Sequence, residues 1–283
     1  MSDQNKPAQD RKKSKRWSRG CGGCLGVVVI VLLAYYGLYF LLRGLVTSNP
    51  ELIAHRGGPV YQPENTLAAF RFAIENGVDW IEFDVQRTSD GVLVVFHDET
   101  VERTTNGTGK VVDLTLEQFQ ALDAGDGERV PTFVEVIALA KDAGVGIMPE
   151  VKSPYLYPGI EAEIVAALDE EGYADQTVLQ SFDPQSLIKA HEINPDLETC
   201  ALYGLWQFNL SGPEPADGVI VCPMAEMVIL KPWMIREAHQ EGKTVYVWFG
   251  IIENPLVMRA LLAMGADGLM VDDPIALVEV LDR

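Results

Sequence analysis

Residues 80–98 read WIEFDVQRTSDGVLVVFHD. In Trp80–Gln86, side chains alternate between two faces, so Glu82 and Asp84 share one while Ile81 and Phe83 share the other. Acidic residues on so apolar a strand need a reason, because burying an unpaired charge is costly. Ser89-Asp90-Gly91 then signals a tight turn, far too short for a crossover between parallel strands. Leu93–Phe96 therefore reads as an antiparallel strand returning beside Trp80–Gln86, which sets His97 opposite Phe83 or Asp84.

Outward from this hairpin, short apolar runs alternate with capped helical patterns. Candidate strands are Leu52–Arg56, Trp80–Gln86, Gly146–Val151, Thr177–Ser181, Glu198–Tyr203, Gly218–Val221, Thr244–Phe249 and Gly268–Asp272. Asn65 or Thr66 caps a helix that runs to Asn76 and stops at Gly77. Thr132 with Glu135 forms a capping box, and Gly144 ends that helix. Asp183-Pro184, Lys231-Pro232 and Asn254-Pro255 each place proline in a first helical turn. Such alternation over residues 47–283 predicts an α/β fold, a (β/α)₈ TIM barrel. A doubly wound open sheet is the alternative, weakened by the absence of G-x-G-x-x-G and P-loop patterns. Residues 99–131 form a small insertion, with one helix near Thr115–Leu122.

The 283 residues are 48% hydrophobic and 22% charged, which excludes a disordered chain. Four cysteines in this length exclude a small disulfide-stapled scaffold, and Cys200 and Cys222 read as small hydrophobes within strands. Net charge is −19, but residues 1–46 hold eight basic and two acidic side chains, leaving 14 basic and 39 acidic beyond them. A domain carrying −25 is a poor partner for nucleic acid and repels anionic substrates at long range. Any phosphate chemistry there needs positive charge concentrated locally.

Leu25–Leu42 is an 18-residue run without a charge, long enough to be a transmembrane helix. Seven basic residues precede it and only Arg43 follows closely, so residues 1–24 read as a cytoplasmic tail and the catalytic domain as extracytoplasmic. A cleaved signal peptide is the competing reading. It is disfavoured by the length of the run and by the lack of an A-x-A-like site. The lipid bilayer is thus an expected partner, through this N-terminal helix. Cys21 and Cys24 lack the second pair a zinc site needs and read as palmitoylation sites or small apolar residues.

In a (β/α)₈ barrel, catalysis sits at the C-terminal ends of the strands. Those ends carry His55-Arg56-Gly57, Glu82-Phe83-Asp84, the hairpin's His97-Asp98, Glu150-Val151-Lys152, Gln180-Ser181, Trp248 and Asp272-Asp273. Glu82, Asp84 and Glu150 converging on one mouth repel one another unless a cation sits between them. Oxygen-only ligands suit a hard divalent metal ion, Mg²⁺ or Ca²⁺. The plainer reading pairs these acids with Arg56 and Lys152 in salt bridges. Two facing histidines, His55 and His97, beside an acidic cluster fit a general acid and general base. His191 and His239 fall in helical stretches and read as ordinary surface or packing residues. Arg56 and Lys152 suit a phosphate, one as a planar fork and the other as a point charge. Glu64, in Pro63-Glu64-Asn65-Thr66, either belongs to a helix cap or orients an active-site group. Trp248 is core filler or an apolar wall for substrate.

The ordered set HRG, PENT, E-x-D, FHD and P-E-x-K resembles the glycerophosphodiester phosphodiesterase family, from about Leu52 to the C-terminus. The resemblance implies a (β/α)₈ barrel with a small insertion after the FHD histidine. It implies His55 and His97 as the acid/base pair, Glu82, Asp84 and Glu150 as metal ligands, and Arg56 and Lys152 as phosphate contacts. The implied reaction cleaves a small-molecule glycerophosphodiester to glycerol 3-phosphate and an alcohol. Two further readings stand beside it. One is a lysophospholipase D or sphingomyelinase-D-like activity on acylated diesters. The other is a catalytically inert, membrane-tethered binding protein.

Overall fold

Eight parallel strands close on themselves in the computed structural model, which describes residues 49–210 and 220–283 and separate helical positions between 26 and 37. The chain divides into two units, Met1–Leu45 and Val46–Arg283, and the barrel lies in the second. In chain order the strands are β1 (Glu51–Ala54), β2 (Trp80–Arg87), β3 (Leu93–Val95), β4 (Gly146–Val151), β5 (Val178–Ser181), β6 (Glu198–Tyr203), β7 (Ile220–Pro223), β8 (Thr244–Trp248) and β9 (Gly268–Val271). Their order around the sheet is β1-β9-β8-β7-β6-β5-β4-β2-β3, and a β1–β2 pairing completes the ring. The ring is the expected barrel, and the alternative of a doubly wound open sheet is excluded. Much of the apolar run Leu25–Leu42 lies outside the described residues. Among those described, no helix is long and apolar enough to cross a membrane.

Strand alternation divides the apolar residues into two layers. Ile53, Met148, Val178, Leu202 and Met270 fill the barrel interior. Leu52, Ala54, Ile81, Phe83, Val85 and Ile147 face outward and meet the surrounding helices. Phe83 anchors that outer layer, with its ring 5.6 Å from Phe70 and 5.9 Å from Phe133. Helix starts follow the sequence signals. Thr66 accepts from the Ala69 amide, and Thr132 and Glu135 form the expected capping box before Phe133–Ala143, which ends at Gly144 with φ 72°.

β2 is the strand that makes the fold asymmetric. Residues 80–85 pair with β4, while Val85, Gln86 and Arg87 pair with Val95, Val94 and Leu93 of the antiparallel β3. The Phe96 amide donates to the Asp84 carbonyl, so the same register carries His97 to the level of Phe83. The insertion beyond it packs its own apolar cluster, including Val94, Phe96, Val101, Phe119 and Val130. Its helix is short, Leu116–Gln120, behind a Thr115–Gln118 capping box.

Three expectations are corrected. The first strand stops at Ala54, and His55–Gly57 form a tight helical turn in which Arg56 has φ 51° and Gly57 φ 81°. The sixth barrel strand runs on to Pro223, two residues beyond its expected end, while Gly218 and Val219 lie outside the described residues. Cys200 and Cys222 are not separate hydrophobes but a buried disulfide between β6 and β7, with Cα atoms 6.1 Å apart. The register explains the pairing: Cys200 lies opposite Ile220 and Leu202 opposite Cys222, so the two cysteines are diagonal neighbours on one face.

Candidate active site

The inward face of β2 and β4 carries the acids. Glu82, Asp84 and Glu150 are all buried, and each offers a carboxylate oxygen within 4.8 Å of the others. Burial, with Asp84 nearby, pushes the Glu82 carboxyl up to about 7. Burial also pushes Glu150 up to about 8, although Lys152 opposes it. Asp84 moves the other way: Lys152 and Arg56 outweigh its burial and hold it below the ordinary carboxylate range. Its Oδ1 is buried without a hydrogen-bond partner, and Lys152 Nζ lies 3.6 Å away. An orphaned acceptor inside three clustered carboxylates fits a divalent cation, which would displace the retained protons and accept the unused lone pairs. The salt-bridge alternative is present as well, since Lys152 Nζ is 3.0 Å from Glu150 Oε1 and Arg56 Nε 3.6 Å from Asp84 Oδ2.

The His55–Gly57 turn holds its shape through the acids. The Arg56 amide donates to Glu82 Oε2 at 2.9 Å, and the Asn65 amide donates to the Arg56 carbonyl. Gly57 is required here: a Cβ would sit 2.7 Å from the Ala69 Cβ and 2.9 Å from its carbonyl carbon. His55 Nδ1 meets Asp272 Oδ1 at 2.5 Å, and its Nε2 faces Glu82 at 3.9 Å. Burial alone would depress this imidazole, but Glu82 and Asp272 outweigh it and hold His55 above its ordinary value. His97 is the opposite case, held below its ordinary value by burial and by Lys152, whose Nζ is 3.2 Å from His97 Nε2.

A charged chain ties the two arms of the site together. Arg56 Nη1 donates to Glu64 Oε1 at 3.0 Å. Arg103 reaches the same carboxylate with two donors at 2.8 Å each, and its Nε donates to Asp98 Oδ2 at 2.5 Å. Asp98 Oδ1 in turn lies 2.6 Å from His97 Nδ1. The hydrogen bond from Arg103 is the largest influence on Asp98, which drops to about 2. Asn65 donates to Asp84 Oδ2 and Gln180 to Glu82 Oε1, both at 2.8 Å.

A cavity of about 430 Å³ opens over these groups, lined by His55, Arg56, Glu64, Glu82, His97, Glu150, Lys152, Gln180, Trp248 and Asp272. Seven of the eight residues singled out in the sequence line it, and the eighth, Asp84, lies in the acidic cluster with Glu82 and Glu150. His191 and His239 lie on helices away from it, and His239 bonds Asp267 at 2.8 Å. The rest of the lining is largely apolar, with Phe182, Leu202, Phe249 and Met270 beside Trp248. The arrangement can bind an anion between Arg56 and Lys152 and move protons on either side of it.

The profile of the glycerophosphoryl diester phosphodiesterase family matches residues 55–276. The chain belongs to this family. Among its relatives is a glycerophosphodiester phosphodiesterase of Caldanaerobacter subterraneus, 37% identical over 245 residues, covering 82% of this chain and 98% of that one. The crystal structure of a glycerophosphodiester phosphodiesterase from Agrobacterium tumefaciens superposes with TM-score 0.70 at 27% identity, over 80% of this chain and 98% of that one. A phosphodiesterase of Oleispira antarctica, solved in complex with the product sn-glycerol-3-phosphate, superposes with TM-score 0.73 at 27% identity, over 83% and 97%.

Four residues that bond side chains of the site were not singled out in the sequence: Asp272, Gln180, Asp98 and Arg103. Asp272 and Gln180 stood at strand ends without an assigned partner. Asp98 was visible only as part of a motif. Arg103 carried no signal, because it lies in an aperiodic loop whose path places it over Glu64.

Proposed function

We propose that the protein hydrolyses glycerophosphodiesters to glycerol 3-phosphate and an alcohol. One observation carries the reading: two imidazoles, each backed by its own aspartate, stand in the same cavity as a buried three-carboxylate cluster and two placed cations. Arg56 and Lys152 bind the phosphodiester and stabilise charge that builds on its oxygens. One histidine takes a proton from the nucleophile and the other gives one to the leaving alkoxide, a contribution of about 10²–10⁴-fold. Asp272 and Asp98 keep each ring's tautomer and orientation fixed. Glu82, Asp84 and Glu150 would hold a divalent ion, Mg²⁺ or Ca²⁺, which when bound supplies Lewis-acid stabilisation of the phosphoryl oxygens. Trp248 forms the apolar wall against the substrate.

The test is release of glycerol 3-phosphate from glycerophosphocholine by the full chain in detergent with added metal. Turnover should be lost to chelator and in His55→Ala and His97→Ala, with the melting temperature retained. Normal turnover by both variants would refute the roles given to them.

A second reading, turnover of acylated diesters, is favoured by the apolar part of the lining, Phe182, Leu202, Trp248, Phe249 and Met270. Paired assays on glycerophosphocholine and lysophosphatidylcholine separate the two.

For location, the reading is a single-pass membrane protein anchored through Leu25–Leu42, with the barrel outside the cytoplasm. The Cys200–Cys222 disulfide supports an oxidising compartment. A reporter fused after Arg283 should be active only as an extracytoplasmic enzyme. Activity in the cytoplasm would overturn the orientation.

A further inference from the structure

Gln86 follows Glu82 and Asp84 on the inward face of β2, and it is fully buried. It does not line the catalytic cavity. Its Nε2 donates instead to two carbonyls, that of Phe96 at 2.9 Å and that of Asp98 at 2.6 Å. These carbonyls flank His97. β3 ends at Val95, so His97 stands two positions beyond the strand that delivers it. Where the strand stops, the Gln86 amide grips the chain on both sides of the histidine.

The amide is itself held in one orientation. A carboxamide offers two N–H donors and one carbonyl acceptor. Both donors of Gln86 are spent on carbonyls, and its Oε1 accepts from the Tyr157 hydroxyl at 2.8 Å. Turned over, the amide would set its oxygen against two carbonyl oxygens, and all of these bonds would be lost. Tyr157 is 1% exposed, and burial, with Glu99 nearby, holds its phenol above the ordinary value, so the hydroxyl keeps the proton it donates. The Arg87 guanidinium lies 5.9 Å from the centroid of the Tyr157 ring. Tyr157 belongs to the loop after β4, whose first residue, Lys152, places Nζ 3.2 Å from His97 Nε2. From the same loop, Ser153 Oγ and the Tyr155 hydroxyl donate to Glu99, the residue after Asp98.

We propose that Gln86 is a positioning residue for His97, with Tyr157 holding the Gln86 amide in place. The proposal rests on the phosphodiesterase reading above. Asp98 orients the imidazole, and Gln86 fixes the backbone that carries it. Proton transfer needs the ring within hydrogen-bond reach of the reacting oxygen, and a misplacement of about 1 Å costs about 10²-fold.

The test uses the full chain in detergent with added Mg²⁺ and two substitutions. Gln86→Leu deletes the amide at similar volume, and Tyr157→Phe deletes one hydroxyl. On glycerophosphocholine, kcat should fall about 10²-fold in Gln86→Leu. Tyr157→Phe removes one bond of the three and should lower kcat by about tenfold. KM, and the affinity for glycerol 3-phosphate by calorimetry, depend on Arg56 and Lys152 and should stay within about twofold. A KM that rises as far as kcat falls, or a kcat of Tyr157→Phe within about twofold of wild type, overturns the positioning role. Nuclear magnetic resonance of the imidazoles gives a readout independent of turnover. The chain has four histidines, and His97→Ala identifies the His97 signals by their loss. Tyr157→Phe should move or double those signals and leave the His55 signals in place. Unmoved His97 signals, or equal movement of all four histidines, overturn the proposal. Should Gln86→Leu fail to fold, Tyr157→Phe decides alone. If the wild type turns over no diester, the phosphodiesterase reading fails and the imidazole spectra still decide whether Gln86 seats His97.

Discussion

Replacing Asp272 with asparagine removes one negative charge and little volume. Asp272 Oδ1 lies 2.5 Å from His55 Nδ1, so the carboxylate holds a proton on that nitrogen and leaves Nε2 for the cavity. Whichever way His55 passes a proton, its imidazolium form is stabilised by that carboxylate. A hydrogen bond to a charged group contributes about 1.5–3 kcal/mol, which is about 10- to 150-fold in rate. The Asp272 side chain is 46% exposed, so water replaces part of what is lost and sets the expectation at the lower end, about 10- to 50-fold in kcat. The pH profile gives an independent readout. A carboxylate beside an imidazole favours the protonated ring, so its removal should shift the His55 limb of the profile to lower pH. Steady-state release of glycerol 3-phosphate across pH measures both quantities, with thermal melting as the control for folding. A variant within twofold of wild type in kcat, with an unmoved limb, would show that Asp272 does not act through His55.

Three further outcomes are expected. Gly57→Ala combines a left-handed backbone with a 2.7 Å contact to the Ala69 Cβ and should cost about 2–4 kcal/mol in denaturant unfolding; a loss under about 0.5 kcal/mol contradicts that packing. Removing the disulfide by Cys200→Ala with Cys222→Ala opens a loop with a sequence separation of 22 and should lower stability by about 3 kcal/mol. Alkylation of the unreduced, unfolded wild type should spare these two cysteines, and labelling of all four would disprove the bridge. Burial raises Glu253 to about 7 despite hydrogen bonds from the Asp272 and Asp273 amides. The folded state then binds a proton that the unfolded state has released, so this group makes stability fall as pH rises from about 4.5 to about 7. Glu253→Gln should flatten that part of the melting-temperature profile, and an unchanged slope would count against it.

The hairpin was legible in the sequence because each step has a local cause. Glu82 and Asp84 fall two apart on a strand, Ser89-Asp90-Gly91 permits only a tight return, and the register then carries His97 back beside the acids. The capping boxes at Thr132 and the caps at Thr66 and Asp183 were legible for the same reason. What escaped was set by distant pairing. The disulfide depends on the β6–β7 register, which no local pattern encodes. Asp272 meets His55 across 217 positions of sequence, through closure of the barrel. Arg103 joins Glu64 to Asp98 only because the insertion folds back over the first βα loop.

His97 stands on β3 and its insertion, not on the closed ring, and that insertion has a small apolar cluster of its own. Segments with separate, modest cores open at lower free energy than the molecule as a whole. Detachment of this flap would carry off His97, Asp98 and Arg103 and leave His55 and the carboxylates where they are. Gentle heating should therefore silence the enzyme reversibly while the ring stays intact, and an occupant bridging Glu64 to Lys152 should delay the silencing alone.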